Sequence, residues 1–479
     1  MLFNSLQFAI FLPIVFIIYW ILPHRFRWVL LLFSSYYFYM SWNIRFVVLI
    51  LFTTVVSYAA ALMIEKTDNV KRKKAVLSTA LVLCLCLLFF FKYLDFFWDS
   101  LSAVLSVFAI KLNPLTIKLI LPVGISFYTF QTIGYVIDVY RGTVSAEKNF
   151  GIYATFVSFF PQLVAGPIER TGNLLPQIRE KHVFSYEQAT YGLKLMALGF
   201  FKKMVIADNL AVCVDSVYNN LYSRTGFALV LAAAFFSIQI YCDFSGYSDI
   251  ARGTAKLMGI ELTENFRSPY FSTTIKELWG KWHISLSTWF RDYIYIPLGG
   301  NRVTRFRYWL NLLVTFLISG LWHGASWMYV IWGGIHGMLQ IAESIFRIRS
   351  ERKIGTFSWF LRVILVFIVT TCAFVFFRAT SLGDAMYVFR HMIEGFSSPI
   401  AYFELGIRSV GFKTRLVATK TVLAVVLLSV FDFFSLKTDV IKKVSALPVA
   451  IRWMVYYIML IFIFACARTS GTQFIYFQF

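Results

Sequence analysis

The sequence predicts an all-α protein that crosses a membrane many times, and three observations predict this fold class. First, 59% of the 479 residues are hydrophobic, only 14% are charged, and the mean hydropathy is +0.70. Second, apolar runs long enough to span a bilayer recur along the chain, and they are continuous, whereas a membrane β-barrel needs alternation. Third, lysine and arginine concentrate in short segments between these runs, as the positive-inside rule describes.

Apolar length gives twelve candidate segments and predicts about eleven spanning helices among them. The first run, residues 6–22, lacks the basic start and the small-residue cleavage site of a signal peptide, so we treat it as a spanning helix. The candidate segments are 6–22, 28–41, 45–64, 75–94, 117–139, 186–206, 226–244, 308–322, 326–346, 358–377, 415–434 and 450–467.

Two segments do not fit a simple span. The stretch "FFPQLVAGPIER" (159–170) has two prolines and a glycine, so we interpret 150–170 as a broken or re-entrant helix. Residues 273–295 carry tryptophan, leucine and tyrosine at three-to-four spacing, interrupted by charges. This pattern predicts one amphipathic helix at the membrane surface.

The basic segments orient the chain. "DNVKRKK" (68–74), "RIRSERK" (347–353) and "LKTDVIKK" (436–443) are expected inside, which puts both termini outside. No repeat or linker is visible, so 1–479 is predicted to be one domain with a catalytic core near 117–346. The net charge of +21 belongs to these loops, and no basic domain for nucleic acid is present. The six cysteines form no CxxC pair, and we expect no metal site.

His323 lies deep in a predicted span. It follows the start of the helix at 308 by 323 − 308 = 15 residues, or about 22 Å at 1.5 Å per residue. An imidazole at that depth either packs against a backbone carbonyl or faces a cavity, and Gly320 and Gly324 leave space beside it. His336, 13 residues later, would point about 220° away on a continuous helix, which favours a packing role.

His283 lies on the apolar face of the predicted surface helix, four residues after Trp279. A core imidazole and a functional one both fit this position, and the residues alone leave the choice open. The chain has no G-x-S-x-G, no H-E-x-x-H, no P-loop and no G-x-G-x-x-G that opens a helix. These absences argue against serine-elbow hydrolysis, metalloprotease activity, ATP-driven transport and Rossmann redox chemistry.

The histidines sit in long stretches that resemble a known family. These are "KWHISLSTWFRDYIYIPLGGNR" (281–302), "GLWHGASWMYVIWGGIHG" (320–337), "YCDFSGYSDIARG" (241–253), "ENFRSPY" (264–270) and the terminal "FIYFQF". On these motifs the chain is similar to the membrane-bound O-acyltransferase (MBOAT) family, and within it to the alginate-type bacterial polysaccharide O-acetyltransferases. The resemblance implies a ring of tilted helices around a central tunnel.

The resemblance also implies roles for individual residues. His323 falls on the essential histidine of the family, and His283 falls on the second histidine of the bacterial branch. Contacts to the tunnel or donor are expected from Trp282, Trp322, Arg291, His336 and Asp243. For Asp243 and the other charged residues near it, Asp249 among them, ion pairing that holds broken helices together is the favoured alternative.

The implied activity is transfer of an acyl group, most simply acetyl, from a cytoplasmic thioester such as acetyl-CoA across the bacterial cytoplasmic (inner) membrane. An extracytoplasmic serine hydrolase-like protein would accept the group and pass it to a polysaccharide. The expected partners are this protein, the thioester donor and membrane lipid, with no bound cofactor. D-alanyl transfer toward teichoic acid and peptidoglycan O-acetylation stay open. A transporter or flippase would show internal repeats, and the sequence has none.

Overall fold

The computed structural model describes residues 1–113, 119–164, 166–348, 350, 355–412, 414–467 and 474–475. These residues form helices and connecting segments, without a β-strand among them. Six described helices are long and apolar enough to cross a membrane: Ile44–Glu65, Val70–Val107, Phe227–Leu257, Thr356–Arg378, Arg415–Ser435 and Val449–Cys466. The all-α, multi-pass membrane class is therefore confirmed, whereas the number of about eleven spans and the ring around a tunnel stay predictions.

The α-helices of the described residues are numbered here in chain order. In the first half of the chain they are α1 (Leu6–Ile21), α2 (His24–Met40), α3 (Val47–Glu65), α4 (Val70–Leu88), α5 (Leu94–Val107), α6 (Ile125–Tyr140), α7 (Phe150–Ser158), α8 (Thr171–Arg179), α9 (Tyr186–Phe200), α10 (Asp208–Tyr218) and α11 (Phe227–Leu257). In the second half they are α12 (Ile275–Lys281), α13 (Ile284–Phe290), α14 (Arg305–His323), α15 (Trp327–Ile345), α16 (Thr356–Arg378), α17 (Leu382–His391), α18 (Pro399–Ser409), α19 (Arg415–Ser435), α20 (Val440–Ser445) and α21 (Val449–Cys466).

Several helices are longer than their apolar cores predict. The span expected at 75–94 belongs to the run Val70–Val107, in which a π-helical turn joins α4 to α5. The span expected at 226–244 continues through the polar stretch 243–249 as α11. Both predicted ends were wrong because a drop in hydropathy does not end a helix whose polar side chains are exposed or paired. The prediction for 150–170 fits better, since α7 ends at Ser158 and α8 begins at Thr171.

The described residues group into two compact units. The first comprises residues 1–193, 251–263 and 324–326, and the second comprises 194–250, 264–323 and 327–479. The assignment of 1–479 to one domain stays a prediction. Inside the first unit, Tyr153 on α7 lies 4.5 Å from the Tyr135 ring of α6, and its hydroxyl is 2.6 Å from that of Ser57 on α3.

The core of the second unit is rich in aromatic side chains. Its buried members include Phe236 on α11, Trp332 on α15 and Phe374 on α16. A row of bulky rings packs several helices together without a polar group, so a polar side chain inside this core stands out. Every side chain of the candidate active site belongs to this unit.

Candidate active site

The segment that carries His283 bends at this residue. The prediction of one amphipathic helix over 273–295 was wrong, because α12 ends at Lys281 and α13 begins at Ile284. His283 itself has the left-handed backbone angle φ of +43°. A non-glycine residue in this region costs about 1–3 kcal/mol, and such residues cluster at functional sites.

Asn265 explains how the bend is held. Its backbone carbonyl accepts the Ile284 amide at 3.0 Å, and its side-chain Oδ1 accepts the Ser285 amide at 3.1 Å. The first amides of a helix have no partner inside that helix, so these two bonds satisfy the start of α13 from outside. No local pattern singles out Asn265, because its role depends on a contact with a segment twenty residues away.

The first turn of α12 is held in the same way by α15. The carboxylate of Glu343 accepts the Ile275 amide at 2.5 Å and the Lys276 amide at 3.0 Å. Thr274 caps the helix from its own side, because its hydroxyl accepts the Glu277 amide at 3.0 Å. The two short helices on either side of His283 are thus both held by contacts with other segments of the chain.

His323 is the last residue of α14, which forms a close hairpin with α15. A Cβ on Gly320 would lie 2.2 Å from the Tyr329 carbonyl oxygen, and one on Gly333 would lie 2.2 Å from that of Phe316. Only glycine allows this approach. The small size of Gly320 therefore serves a close approach, as the sequence indicated, and the backbone of α15 is what approaches there.

The fold brings the two histidines together. The ring centroids of His283 and His323 lie 6.5 Å apart, and Trp322 contacts both rings at 6.0 and 5.1 Å. His283 is 0% exposed and His323 is 2% exposed. The pair is thus an enclosed site to which residues from two separate stretches of sequence contribute.

Aromatic side chains form the wall around the pair. Trp332 meets His323 edge-on at 5.0 Å, and Phe377 of α16 lies 5.8 Å from it. Phe244 of α11 meets His283 edge-on at 4.5 Å. No sequence pattern predicts Trp332, Phe377 and Phe244 as neighbours of the site, because each is one more aromatic residue in an apolar run.

Of the other predicted site residues, His336 lies one ring further from the pair. Trp332 lies between His336 and His323, and the ring centroids of Trp332 and His336 are 5.1 Å apart. The indole N–H of Trp279 donates to Nδ1 of His336 at 3.3 Å. His336 is 1% exposed, and its contacts place it behind the aromatic wall.

The remaining predicted contacts separate into two groups. Trp282 is buried beside His283 and lies 5.5 Å from the Phe374 ring, and Trp322 is part of the wall. Arg291, in contrast, is exposed and its guanidinium pairs with the neighbouring Asp292 at 2.7 Å. No contact among the described residues brings Arg291 to the histidines.

Asp243 precedes Phe244 on α11 and takes part in a buried ion-pair cluster. It pairs with Lys203, which also bonds Asp208 at 2.9 Å, and Lys202 pairs with Asp249 at 2.8 Å. Asp243 also accepts the backbone amide of Ile475 at 2.8 Å. The two lysines follow α9 in a π-helical turn, and they were not predicted as part of the site because they lie inside an apolar run.

Burial also sets the charge state of His283. The loss of solvation lowers the pKa of its imidazole to about 3. The ring is therefore neutral at physiological pH, with one nitrogen that donates and one that accepts. Two imidazoles in an aromatic enclosure can exchange a proton with a bound substrate while water is kept away.

Comparison with known proteins supports the class of the molecule. Residues 147–383 match the model of the MBOAT, membrane-bound O-acyltransferase family. A probable alginate O-acetylase of Azotobacter vinelandii is 41% identical over 400 residues, which cover 82% of this chain and 78% of the relative. A peptidoglycan O-acetyltransferase of Helicobacter pylori is 37% identical over 431 residues, with 82% and 80% covered.

A third relative is more distant. A teichoic acid D-alanyltransferase of Streptococcus thermophilus is 31% identical over 263 residues, which cover 51% of this chain and 62% of the relative. With the enclosed histidine pair and the multi-pass fold, these similarities define a membrane-embedded acyltransferase. The chain belongs to the membrane-bound O-acyltransferase family, as its histidine motifs predicted.

Proposed function

We propose that this enzyme moves an acetyl group from a cytoplasmic thioester across the membrane for O-acetylation of a polysaccharide, with His323 as the general base. The observation that carries the proposal is the 6.5 Å separation of His283 and His323 inside a closed aromatic wall. The proposal also rests on the alginate and peptidoglycan O-acetylating relatives, whose alignments each cover 82% of this chain.

The proposed step is a direct acyl transfer. Neutral His323 takes the proton of an acceptor hydroxyl as its oxygen attacks the thioester carbonyl carbon. A new C–O bond forms, the C–S bond breaks, and the departing thiolate takes the proton from the imidazolium. Base catalysis of this kind contributes about 10²–10⁴-fold, and alignment of both substrates in one enclosure contributes further.

His283 has a supporting role in this proposal. Because its ring is neutral, it donates one N–H, which suits the carbonyl oxygen that gains negative charge during the attack. Its left-handed backbone and the two bonds from Asn265 fix the direction of that donor. His336 supports Trp332 and takes no part in proton transfer.

Burial of both imidazoles imposes a condition on the proposal. At 0% and 2% exposure neither ring is open to solvent, so the aromatic wall has to move when substrates bind. Trp282 and Trp322 lie next to the pair and are the side chains that would line the opened passage. Arg291 is exposed, and in this proposal it contacts the donor only at the surface of the protein.

Acetyl is favoured over D-alanyl as the transferred group. The acetylating relatives align over 82% of this chain, and the D-alanyl relative aligns over 51% at lower identity. Acetyl-CoA is the proposed donor, and an extracytoplasmic serine hydrolase-like protein is the proposed acceptor. The proposed location is the bacterial inner membrane with both termini outside, which reporter fusions at the basic loop 68–74 test directly.

The test uses cells that lack the gene and carry one variant each. We expect wild-type chain to restore base-labile acetyl ester on the envelope polysaccharide, and His323→Ala to restore none. His391→Ala is the matched control, since this imidazole accompanies Tyr387 on α17 and takes no part in the cluster. Immunoblots of the membrane fraction show whether each variant is present at the wild-type level.

The same cells separate the alternatives. Wild-type acetyl ester in a well-expressed His323→Ala strain would rule out the proposed base. Ester-linked D-alanine that depends on the gene would replace acetyl with D-alanyl and leave the role of His323 intact. Mass spectrometry of the isolated polymer distinguishes the two groups.

A further inference from the structure

A cavity lies in the same compact unit as the histidine pair, among residues that the proposed chemistry does not use. Its volume is about 300 Å³, and its walls come from α10, α19, the end of α21 and residues 411–412. Most of the lining is apolar, with Val205, Val212, Leu416 and Val417 among its members. Leu416 is 63% exposed, so the cavity opens at the surface of the protein.

One cation interrupts this apolar lining. Lys420 lines the cavity, is half-buried, and makes no hydrogen bond or ion pair with another of the described residues. The other polar groups of the lining already have partners: Asn209 donates to the carbonyls of Val205 and Cys466 at 2.9 and 3.1 Å, and Thr421 donates to Val417 at 2.8 Å. The ammonium of Lys420 is therefore the group that a ligand would satisfy.

The depth of Lys420 fits the level of lipid headgroups. It lies five residues into α19, a helix long and apolar enough to cross a membrane. At 1.5 Å per residue this is about 7.5 Å from the helix end. A lysine at this depth extends its side chain toward the interface, and an unpaired charge inside a span is costly without a partner.

The size of the cavity limits its occupant. One turn of an α-helix with its side chains is about 10 Å wide and 5.4 Å long, roughly 400 Å³, so a helix of a partner protein does not fit. A hydrocarbon chain is flexible and narrower than a helix, so a segment of one can lie along the valine and leucine wall. The combination of one cation with an apolar wall therefore matches an anionic amphiphile.

We propose that this cavity binds an anionic membrane phospholipid, with its phosphate at Lys420 and one acyl chain along Val205, Val212 and Val417. The site is distinct from the histidine pair, and the proposal does not depend on the acyl-transfer reaction. A neutral or zwitterionic lipid lacks the net charge that Lys420 would balance, so the site distinguishes lipids by headgroup.

The experiment measures lipid binding to the purified full chain. Delipidated protein in neutral detergent is titrated with phosphatidylglycerol, phosphatidylcholine or inorganic phosphate, and native mass spectrometry counts the bound molecules. We expect one phosphatidylglycerol of higher affinity than the rest. Lys420→Gln should weaken this binding about five-fold, the effect of one basic residue on attraction to anionic lipid.

Two further variants make the result specific. Val417→Phe fills the cavity without a change of charge and should remove the same bound lipid. Lys437→Gln removes an exposed lysine just beyond the other end of α19 and should leave the binding unchanged. Lys420→Arg should keep the binding because it keeps the charge.

Three outcomes would overturn the proposal. If Lys420→Gln, Val417→Phe and Lys437→Gln all bind phosphatidylglycerol equally well, the lipid does not bind in this cavity. If phosphatidylcholine binds with the same affinity as phosphatidylglycerol, Lys420 does not select the lipid by its charge. Displacement of the lipid by millimolar inorganic phosphate would make this an anion site with no lipid selectivity. If Lys420→Gln does not fold, the comparison of Val417→Phe with wild type decides the matter.

Discussion

The imidazole rings of His283 and His323 lie 6.5 Å apart, and Trp322 touches both of them. One ring sits at a bend between two seven-residue helices, and the other ends a nineteen-residue helix. A change at either position therefore acts on a shared enclosure. This relationship leads to the first prediction.

The two histidines should behave as one unit in kinetics. We expect His323→Ala to lower the rate of acetyl transfer by about 10²–10⁴-fold, and His283→Ala to lower it by a smaller factor in that range. The double variant should be no slower than His323→Ala, because groups that act together are not additive. Acetyl ester formed per hour in matched cells is the measurement. Multiplicative losses in the double variant would contradict a shared step.

Asn265 should affect activity more than stability. Asn265→Ala removes the acceptor of the Ser285 amide, a loss typical of a helix cap at about 1 kcal/mol. A shift of His283 by 1 Å costs about 10²-fold in rate. We therefore expect a large fall in turnover and only a small fall in unfolding temperature. Asn265→Asp keeps the acceptor and should restore most of the activity. Equal loss in both variants would show that the acceptor is not what matters.

The hairpin of α14 and α15 should not tolerate a methyl group at Gly333. Its Cβ would lie 2.2 Å from the Phe316 carbonyl oxygen, and overpacking of this kind costs about 1–3 kcal/mol. Gly280→Ala is the control, since no atom lies within 4 Å of its Cβ and alanine favours a helix by up to about 1 kcal/mol. In thermal unfolding in detergent, the unfolding temperature of Gly333→Ala should lie below that of wild type, and that of Gly280→Ala should lie above it.

The buried pair of Lys202 and Asp249 should be costly to break from one side. The side chains are 6% and 12% exposed, and Lys202→Met leaves the carboxylate without this cation at a cost of about 3–5 kcal/mol. The double variant Lys202→Met with Asp249→Leu should regain part of that loss, because the stranded Asp249 carboxylate is then gone, while the buried Asp432, which also interacts with Lys202, keeps its hydrogen bond from the Tyr241 hydroxyl. Chemical unfolding of the wild type and the two variants in the same detergent measures the effect. A double variant as unstable as the single one would refute this account.

Stability should fall in acid partly through His283. Its pKa is lowered from 6.5 to about 3 by burial, so the unfolded chain binds this proton below pH 6.5 and the folded chain binds it only near pH 3. Between these values the unfolded state is favoured by up to about 1.4 kcal/mol per pH unit. His283→Asn lacks this group and should show a shallower fall in unfolding temperature from pH 6.5 to 4.5. Parallel curves for the two proteins would contradict the assigned burial.

The fold class and the histidines were predictable because they depend on local composition. Apolar length identified a multi-pass helical protein, and the motifs around His283 and His323 identified the family. The errors share a cause. The bend at His283 and the bonds from Asn265 require a contact between distant segments, which the three-to-four spacing of aromatics cannot reveal. Likewise, the continuation of α11 through residues 243–249 depends on Lys202 and Lys203, which lie outside α11 and pair with its Asp249 and Asp243.

By itself, the amino-acid sequence determined that the chain is helical and membrane-embedded, since hydrophobic length and loop charge act residue by residue. It also supplied the two imidazoles within recognisable stretches. Only the tertiary structure decided that these rings meet, that Trp332 separates His336 from them, and that Arg291 stays outside. The physical reason is that close packing is set by which helix faces touch, and that choice is made by all the side chains of the core together.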